Sequence, residues 1–440
     1  MTEQPASFGV ELRRRRTDAG FSLATFAKQV HYSKGYLGRI ETGEKPATLD
    51  LARRCDAALE AGGQLVALVP KDTAAAGGES PDPPAMATTE PDSEVWVMTM
   101  EPDGSSRLVP MRRREALAMG AASLLGLTLG SQSSAAAAQQ DGTIVAFKAL
   151  FEQTRQLGQI TGPSVVLPTV IAQTHTLRGL ATGADSRTRS ELLQLAARYA
   201  EYAGWMTQEA GDDRGALWWT RSAVDMANAA GDTELSTYAL IRQALITLYQ
   251  DDAASTIGLA RQAGSDPRTP ARIRGLAALR EAQGHALACD YDETQRSLDL
   301  AQQLLADSAE KSKDGVVTGS ASVTSTRLQA MVAGWCLHDL GRPQQAGDLL
   351  DQQLNAIPDS ARRTHARFGA RRALAYASAG EVEHACTLAH RVLDSAEVVD
   401  SATIRVDLRR LTRTLARWHS HQPVRDLYPR LNAALRTPIG

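Results

Sequence analysis

The chain has 440 residues, with 48 Lys and Arg against 50 Asp and Glu for a formal charge of -2, and 43% of it is hydrophobic. That length allows two or three domains, and the near-neutral balance means that any contact with nucleic acid must come from a local basic face. The four cysteines, Cys55, Cys289, Cys336 and Cys386, form no CxxC pair and fall in helical segments, the pattern of reduced buried thiols in a cytoplasmic protein rather than a disulfide framework.

Residues 1–70 predict a small helical unit. Leu12 and the run from Arg13 to Arg16 lie on a first helix that Gly20 ends, because glycine takes the left-handed cap conformation without steric cost. Ser22 caps a second helix carrying Leu23, Phe26 and Ala27, Val30 with the His31-Tyr32 pair turns the chain, and Ser33 caps a third. From that cap Leu37 and Ile40 face inward, which leaves Lys34, Gly35, Tyr36 and Arg39 on the outer surface near the helix N-terminus. Gly43 and Pro46 stop this helix, and Leu49, Leu51, Ala52, Cys55, Ala58 and Leu59 supply a fourth. Between residues 11 and 54 ten Lys and Arg stand against five Asp and Glu, a local basic face of the kind that phosphate contacts require.

Arg16-x-x-x-Gly20, Ser22-x-x-x-Phe26-Ala27 and Tyr36-Leu37-x-Arg39-Ile40-Glu41-x-Gly43 resemble the phage-repressor, or Xre-type, helix-turn-helix family. The resemblance implies a lambda-repressor-like fold whose third helix enters the major groove of a double-stranded DNA operator. Lys34, Gly35, Tyr36 and Arg39 would then read bases, with Arg13, Arg14, Ser22, Ser33 and Lys45 at the DNA surface. It also implies an ion pair between Arg16 and Glu41 that ties the first helix to the third. The chain departs from the family at Leu23, where a phosphate-gripping glutamine is usual, and at Gly38, where serine is usual.

Residues 71–140 read as a linker. From Lys71 to Pro110 eight acids stand against two bases, with prolines at 81, 83, 84, 91, 102 and 110, an extended acidic composition. Within it, residues 94–109 have the pattern of a β-hairpin with its turn at Asp103-Gly104. Residues 115–130 are apolar behind three arginines and imitate an export signal or membrane anchor, but the stretch is shorter than the roughly 20 residues of a spanning helix and lies behind another domain. A buried or interface-forming helix is expected there, followed by a flexible tether over 131–140.

Residues 141–440 predict an all-helical array. Helix junctions at Gly211-Asp212, Gln250-Asp251, Cys289-Asp290, Gly341-Arg342 and Gly380-Glu381 are spaced by 39, 39, 52 and 39 residues, and the long interval holds a loop over 309–320. Five residues after each anchor stands Ala216, Ser255, Thr294, Ala346 or Ala385, small enough for the two helices of a hairpin to meet. Hairpins of this kind stack into a curved solenoid, and the period and small-residue pattern resemble the tetratricopeptide-repeat (TPR) class. Helices over 143–160 and 164–181 cap one end, and 401–418 with 424–436 close the other.

An Xre-type reader joined to a TPR-like array resembles bacterial one-component regulators whose repeats dimerise and bind a signalling peptide, a small molecule or a protein partner. Arg363, Arg367 and Arg371 on one helix and Arg405, Arg409, Arg413 and Arg417 on a later one form two cationic stripes that would suit a carboxylate or phosphate. Glu381, Glu383, Asp394, Asp400 and Asp407 stand near enough in sequence to neutralise them. Most of the array's aromatics, among them Trp205, Trp218, Trp219, Tyr238, Tyr249, Trp335 and Tyr376, belong to its core, with one or two lining a pocket. The histidines lack metal-ligand spacing, and no phosphate loop, nucleophile elbow or carboxylate pair points to an enzyme or a cofactor. The sequence thus predicts a cytoplasmic, homodimeric, ligand- or partner-controlled DNA-binding transcriptional regulator. Its rivals are an interaction scaffold and a membrane-tethered sensor with a DNA-binding head.

Overall fold

The computed structural model describes residues 7–69, 94–100, 106–112, 136–309 and 325–436. Helices α1 (Phe8–Asp18), α2 (Leu23–Gln29), α3 (Lys34–Glu41), α4 (Leu49–Ala58) and α5 (Gln64–Ala67) form the N-terminal head. Ser22, Ser33 and Thr48 start α2, α3 and α4 by accepting the N–H of Thr25, Tyr36 and Leu51, so each helix begins where a short polar side chain satisfies an orphan donor. Leu12, Phe26, Leu37, Ile40, Leu51 and Leu65 share one buried core.

Two strands, β1 (Glu94–Met100) and β2 (Ser106–Arg112), pair antiparallel with Glu94 opposite Arg112 and Met100 opposite Ser106. The ribbon therefore runs three residues past 94–109, since Glu94 pairs with Arg112. Its predicted turn at Asp103-Gly104 and the predicted helix over 115–130 lie outside the described residues. The tether ends sooner than its composition implied: helix α6 (Ala136–Ile160) already begins at Ala136, where Ala and Gln favour continuation of the amphipathic helix behind them. No helix among the described residues is long and apolar enough to cross a membrane.

The rest is a stack of helical hairpins. After α6 and α7 (Pro163–Thr182) come α8 (Ser186–Ala210) with α9 (Asp213–Ala229), α10 (Glu234–Tyr249) with α11 (Ala253–Gly264), and α12 (Ala271–Leu287) with α13 (Tyr291–Ala309). They are followed by α14 (Ser325–Asp339) with α15 (Pro343–Leu354), α16 (Arg362–Ser378) with α17 (Val382–Val399), and α18 (Ala402–Leu415) with α19 (Gln422–Arg436). The fold is thus all-α apart from the ribbon, an N-terminal helix-turn-helix head and a C-terminal solenoid-like stack.

The first five of these hairpin turns fall on residues with positive φ: Gly211 at 96°, Asp251 at 59°, Cys289 at 62°, Gly341 at 77° and Gly380 at 87°. Four of these are the predicted anchors. The second sits one residue later than Gln250, because Asp252 accepts the Ser255 N–H and fixes the start of α11. The small residue that meets the partner helix is therefore Thr256, fully buried and 2.9 Å from the Thr247 hydroxyl, whereas Ser255 is exposed. Ala216, Thr294, Ala346 and Ala385 are buried at the equivalent position of their hairpins.

The stack curls until its end meets its beginning. Arg363 of α16 donates to Glu209 of α8 at 2.6 Å and to the carbonyls of Gly158 and Thr161 at 2.8 Å. Ser401 and Thr403, at the start of α18, donate to the same Glu209 at 2.6 and 2.9 Å. A buried carboxylate with three donors tolerates burial that a lone charge does not. The inner helices consequently surround a chamber rather than an open concave face.

Candidate nucleic-acid interface and inner pocket

Helix α3 begins in the open. Lys34, Gly35 and Arg39 are exposed, as is Lys45 beyond its end, so its N-terminal turns present cations and bare backbone. Tyr36 is part-buried, stacked on Tyr32 with ring centroids 5.3 Å apart and with Lys45 Nζ 4.7 Å from its centroid. Ser22 and Ser33 are exposed but spend a lone pair on their caps. Arg13 is exposed on α1, while Arg14 is held between Glu11 and Asp18. The departures at Leu23 and Gly38 are neighbours in space, since a Cβ at Gly38 would lie 3.6 Å from the Leu23 side chain, an ordinary contact distance.

Arg16 and Glu41 lie face to face beneath this surface. Arg16 Nε and Nη2 donate to the two carboxylate oxygens at 2.6 and 2.9 Å, and Nη1 donates to the Phe21 carbonyl at 2.6 Å. The fork geometry saturates both groups and fixes α1 against α3. Residues 7–69 match the helix-turn-helix domain family. No curated protein and no solved structure matches the chain.

The back of the head rests on the edge of the array. Arg54 donates to the Ser378 carbonyl at 2.6 Å and Arg53 to the Leu287 carbonyl at 3.1 Å, with Asp339 4.0 Å from Arg53. Leu287, Asp339 and Ser378 are the last residues of α12, α14 and α16, so two arginines meet the negative ends of three successive inner helices. Gly341 is required at this contact, because its φ is positive and a Cβ would overlap the Arg53 carbonyl oxygen. From the other side Arg417 donates to the His31 carbonyl at 2.5 Å. Tyr32 donates its hydroxyl to Asp50 at 2.7 Å; burial, together with that carboxylate, pushes the phenol up. A cleft of about 800 Å3 runs along the seam and is lined by Ser33, the cap of α3, and Tyr36 on it, and by Arg410, Arg413 and Arg417 from the array.

A second cavity, of about 170 Å3, lies inside the array and is bordered by α6, α8, α10, α12, α14 and α16. The arginine stripes do not converge on it. Arg363 and Arg367 border it, but Arg363 is consumed by closing the array. Arg371 is buried against Asp407 at 2.8 Å with the Trp335 ring centroid 3.5 Å away, and Arg405 is buried against Asp400. Arg409 and Arg413 are exposed, Arg413 on the seam instead. The i, i+4 rows were broken up because the inner face of a helix in a curled stack is narrower than a whole row, so Arg363 and Arg371 found carboxylates on α8 and α18, while Arg405 found Asp400 five residues before it. The cavity's other arginines, Arg155, Arg242, Arg272 and Arg280, were not singled out from the sequence; the i, i+8 spacing of Arg272 and Arg280 on α12 carried the same signal. Arg53 and Arg54 carried none, since their partners are carbonyls of distant helix ends.

Proposed function

We propose that the chain is a sequence-specific DNA-binding transcriptional regulator of the Xre type, a cytoplasmic homodimer whose TPR-like array responds to a ligand, a peptide or a protein partner. The observation that carries this reading is the open N-terminus of α3, with Lys34, Gly35 and Arg39 exposed, inside the region that matches the helix-turn-helix family. Control by the array is supported by the seat of the head. Three consecutive hairpin turns touch it, so a rearrangement of the inner helices reaches the reader through rigid contacts. Asp339 links the two regions: it faces Arg53 of the head and accepts the indole N–H of Trp335, which borders the inner cavity, at 2.9 Å.

Footprinting of the purified full chain across genomic DNA tests the reading. Discrete protected sites are expected, with Arg39→Ala costing about 1–3 kcal/mol at those sites only. Arg13→Ala is expected to weaken all sequences alike and to lower the salt slope by about one. Uniform protection without discrete sites overturns it.

A further inference from the structure

The inner cavity has a charge problem that the protein solves only in part. Of its arginines, Arg155, Arg242 and Arg363 have carboxylates at 3.0, 3.3 and 2.6 Å in Glu152, Glu201 and Glu209. Arg280 and Arg367 have no carboxylate at ion-pair distance among the described residues: Arg280 donates to the neutral Gln283, and Arg367 lies over aromatic rings, 5.6 Å from the Tyr249 centroid and 5.9 Å from that of Trp335, where against burial the more distant Glu209 and Asp407 help Tyr249 to hold its guanidinium up. The Nε atoms of both find no acceptor. Their remaining exposure opens into the cavity. Burial, with the charges of Arg367 and Arg242 added to it, pushes the Arg280 guanidinium down to about 10, the mark of a cation short of counter-charge.

The walls are of the opposite kind. Trp205, Tyr238, Ile241, Leu276, Val332 and Trp335 supply flat and branched apolar surface. A cavity of about 150 Å3 lined by apolar groups accommodates a single benzene ring, and this one measures about 170 Å3. Forked guanidinium donors and an apolar chamber of that size together select a molecule with one anionic group and one compact apolar body.

We propose that the chamber is the effector site of the array and takes a small organic anion, a carboxylate or phosphate monoester on a single-ring or branched aliphatic body, with its charge between Arg280 and Arg367 and its body against Trp205 and Trp335. The proposal rests on the reading of the chain as a regulated DNA-binding protein, but binding to the chamber requires no DNA. An anion there completes the cation pair and presses on Trp335, whose indole is tied through Asp339 to the seat of the head.

The test is calorimetric titration of the full chain without DNA, using phenylacetate, phenyl phosphate and the neutral phenylacetamide. At least one of the anions is expected to bind about tenfold or more tighter than the amide, and the ratio of the two anions tells carboxylate from phosphate. Arg367→Gln and Arg280→Gln are expected to remove that preference, whereas Arg409→Gln on the outer surface leaves it unchanged. Equal binding of acid and amide, or no binding of either acid at millimolar concentration, overturns the proposal even if both inner variants fail to fold, because the comparison of ligands uses the unaltered protein. Such a failure leaves the DNA-binding reading standing; failure of the footprinting experiment leaves the chamber standing.

Discussion

The Arg417 guanidinium lies 4.1 Å from the centroid of the Tyr32 ring and so joins the far end of the array to the turn that precedes the reading helix. Tyr32 stacks on Tyr36, and Arg417 also stands 3.6 Å from Asp50. Removing the guanidinium deletes one cation–π contact, one hydrogen bond and one ion pair at the seam. Arg417→Ala is expected to weaken docking of the head by about 1–2 kcal/mol. Amide hydrogen exchange of residues 31–37 should rise while the inner helices of the array stay protected; unchanged exchange would mean that the seat does not depend on this residue.

The same seam is expected to respond to pH. Burial, followed by the charges of Arg54 and Arg417, holds the His31 imidazole below its ordinary value of 6.5, against the pull of Glu381. A histidine depressed in the docked state binds protons more readily once the head is released. Docking is therefore at full strength above pH 6.5 and weakens as pH falls below that value. Energy transfer between dyes on the head and the array, followed from pH 8 to 5, should fall on the acid side, and His31→Gln should flatten the curve.

Beneath the reading surface, the buried pair of Arg16 and Glu41 predicts an asymmetry between single and double substitution. Arg16→Met leaves the Glu41 carboxylate, 8% exposed, without its fork of donors. It is expected to cost about 3–5 kcal/mol, whereas Arg16→Met combined with Glu41→Leu costs far less. The head's transition in a calorimetric melt of the full chain distinguishes the two, and equal costs would deny the pair its role.

The corrected repeat register makes neighbouring residues respond differently. Thr256→Leu and Ala346→Leu place a larger side chain where two helices touch and are expected to cost about 1–3 kcal/mol each. Ser255→Leu, one position away on the exposed side, should leave the melting temperature within about a degree or two. If Ser255→Leu destabilises and Thr256→Leu does not, the anchor belongs at Gln250 after all.

Local chemistry alone determined the elements of this protein. Ser22, Ser33 and Thr48 satisfy helix donors within their own turn, and the periodic apolar residues of α1 to α4 can face only one way, so the head was legible from residues 11–59. Most hairpin junctions were legible for the same reason: Gly211-Asp212 and Cys289-Asp290 join a left-handed turn residue to a capping aspartate, and Gly341 and Gly380 supply the left-handed turn alone. The second junction was misplaced by one residue because Gln250 and Asp251 are both compatible with a turn; the Asp252 cap and the packing of Thr256 against Thr247 separate them. What tertiary structure decided is which charges remain available. Arg363 and Arg371 look alike in sequence to Arg367, yet curling of the stack brings Glu209 and Asp407 to the first two and an aromatic pair to the last, while Arg405 takes Asp400 five residues before it. The seat of the head was equally hidden, since Arg53 and Arg54 bind main-chain carbonyls at helix ends more than 200 residues away. Helix ends acquire partners only after the helices are stacked, and electrostatic pairing depends on distances in space that residue spacing along the chain does not fix.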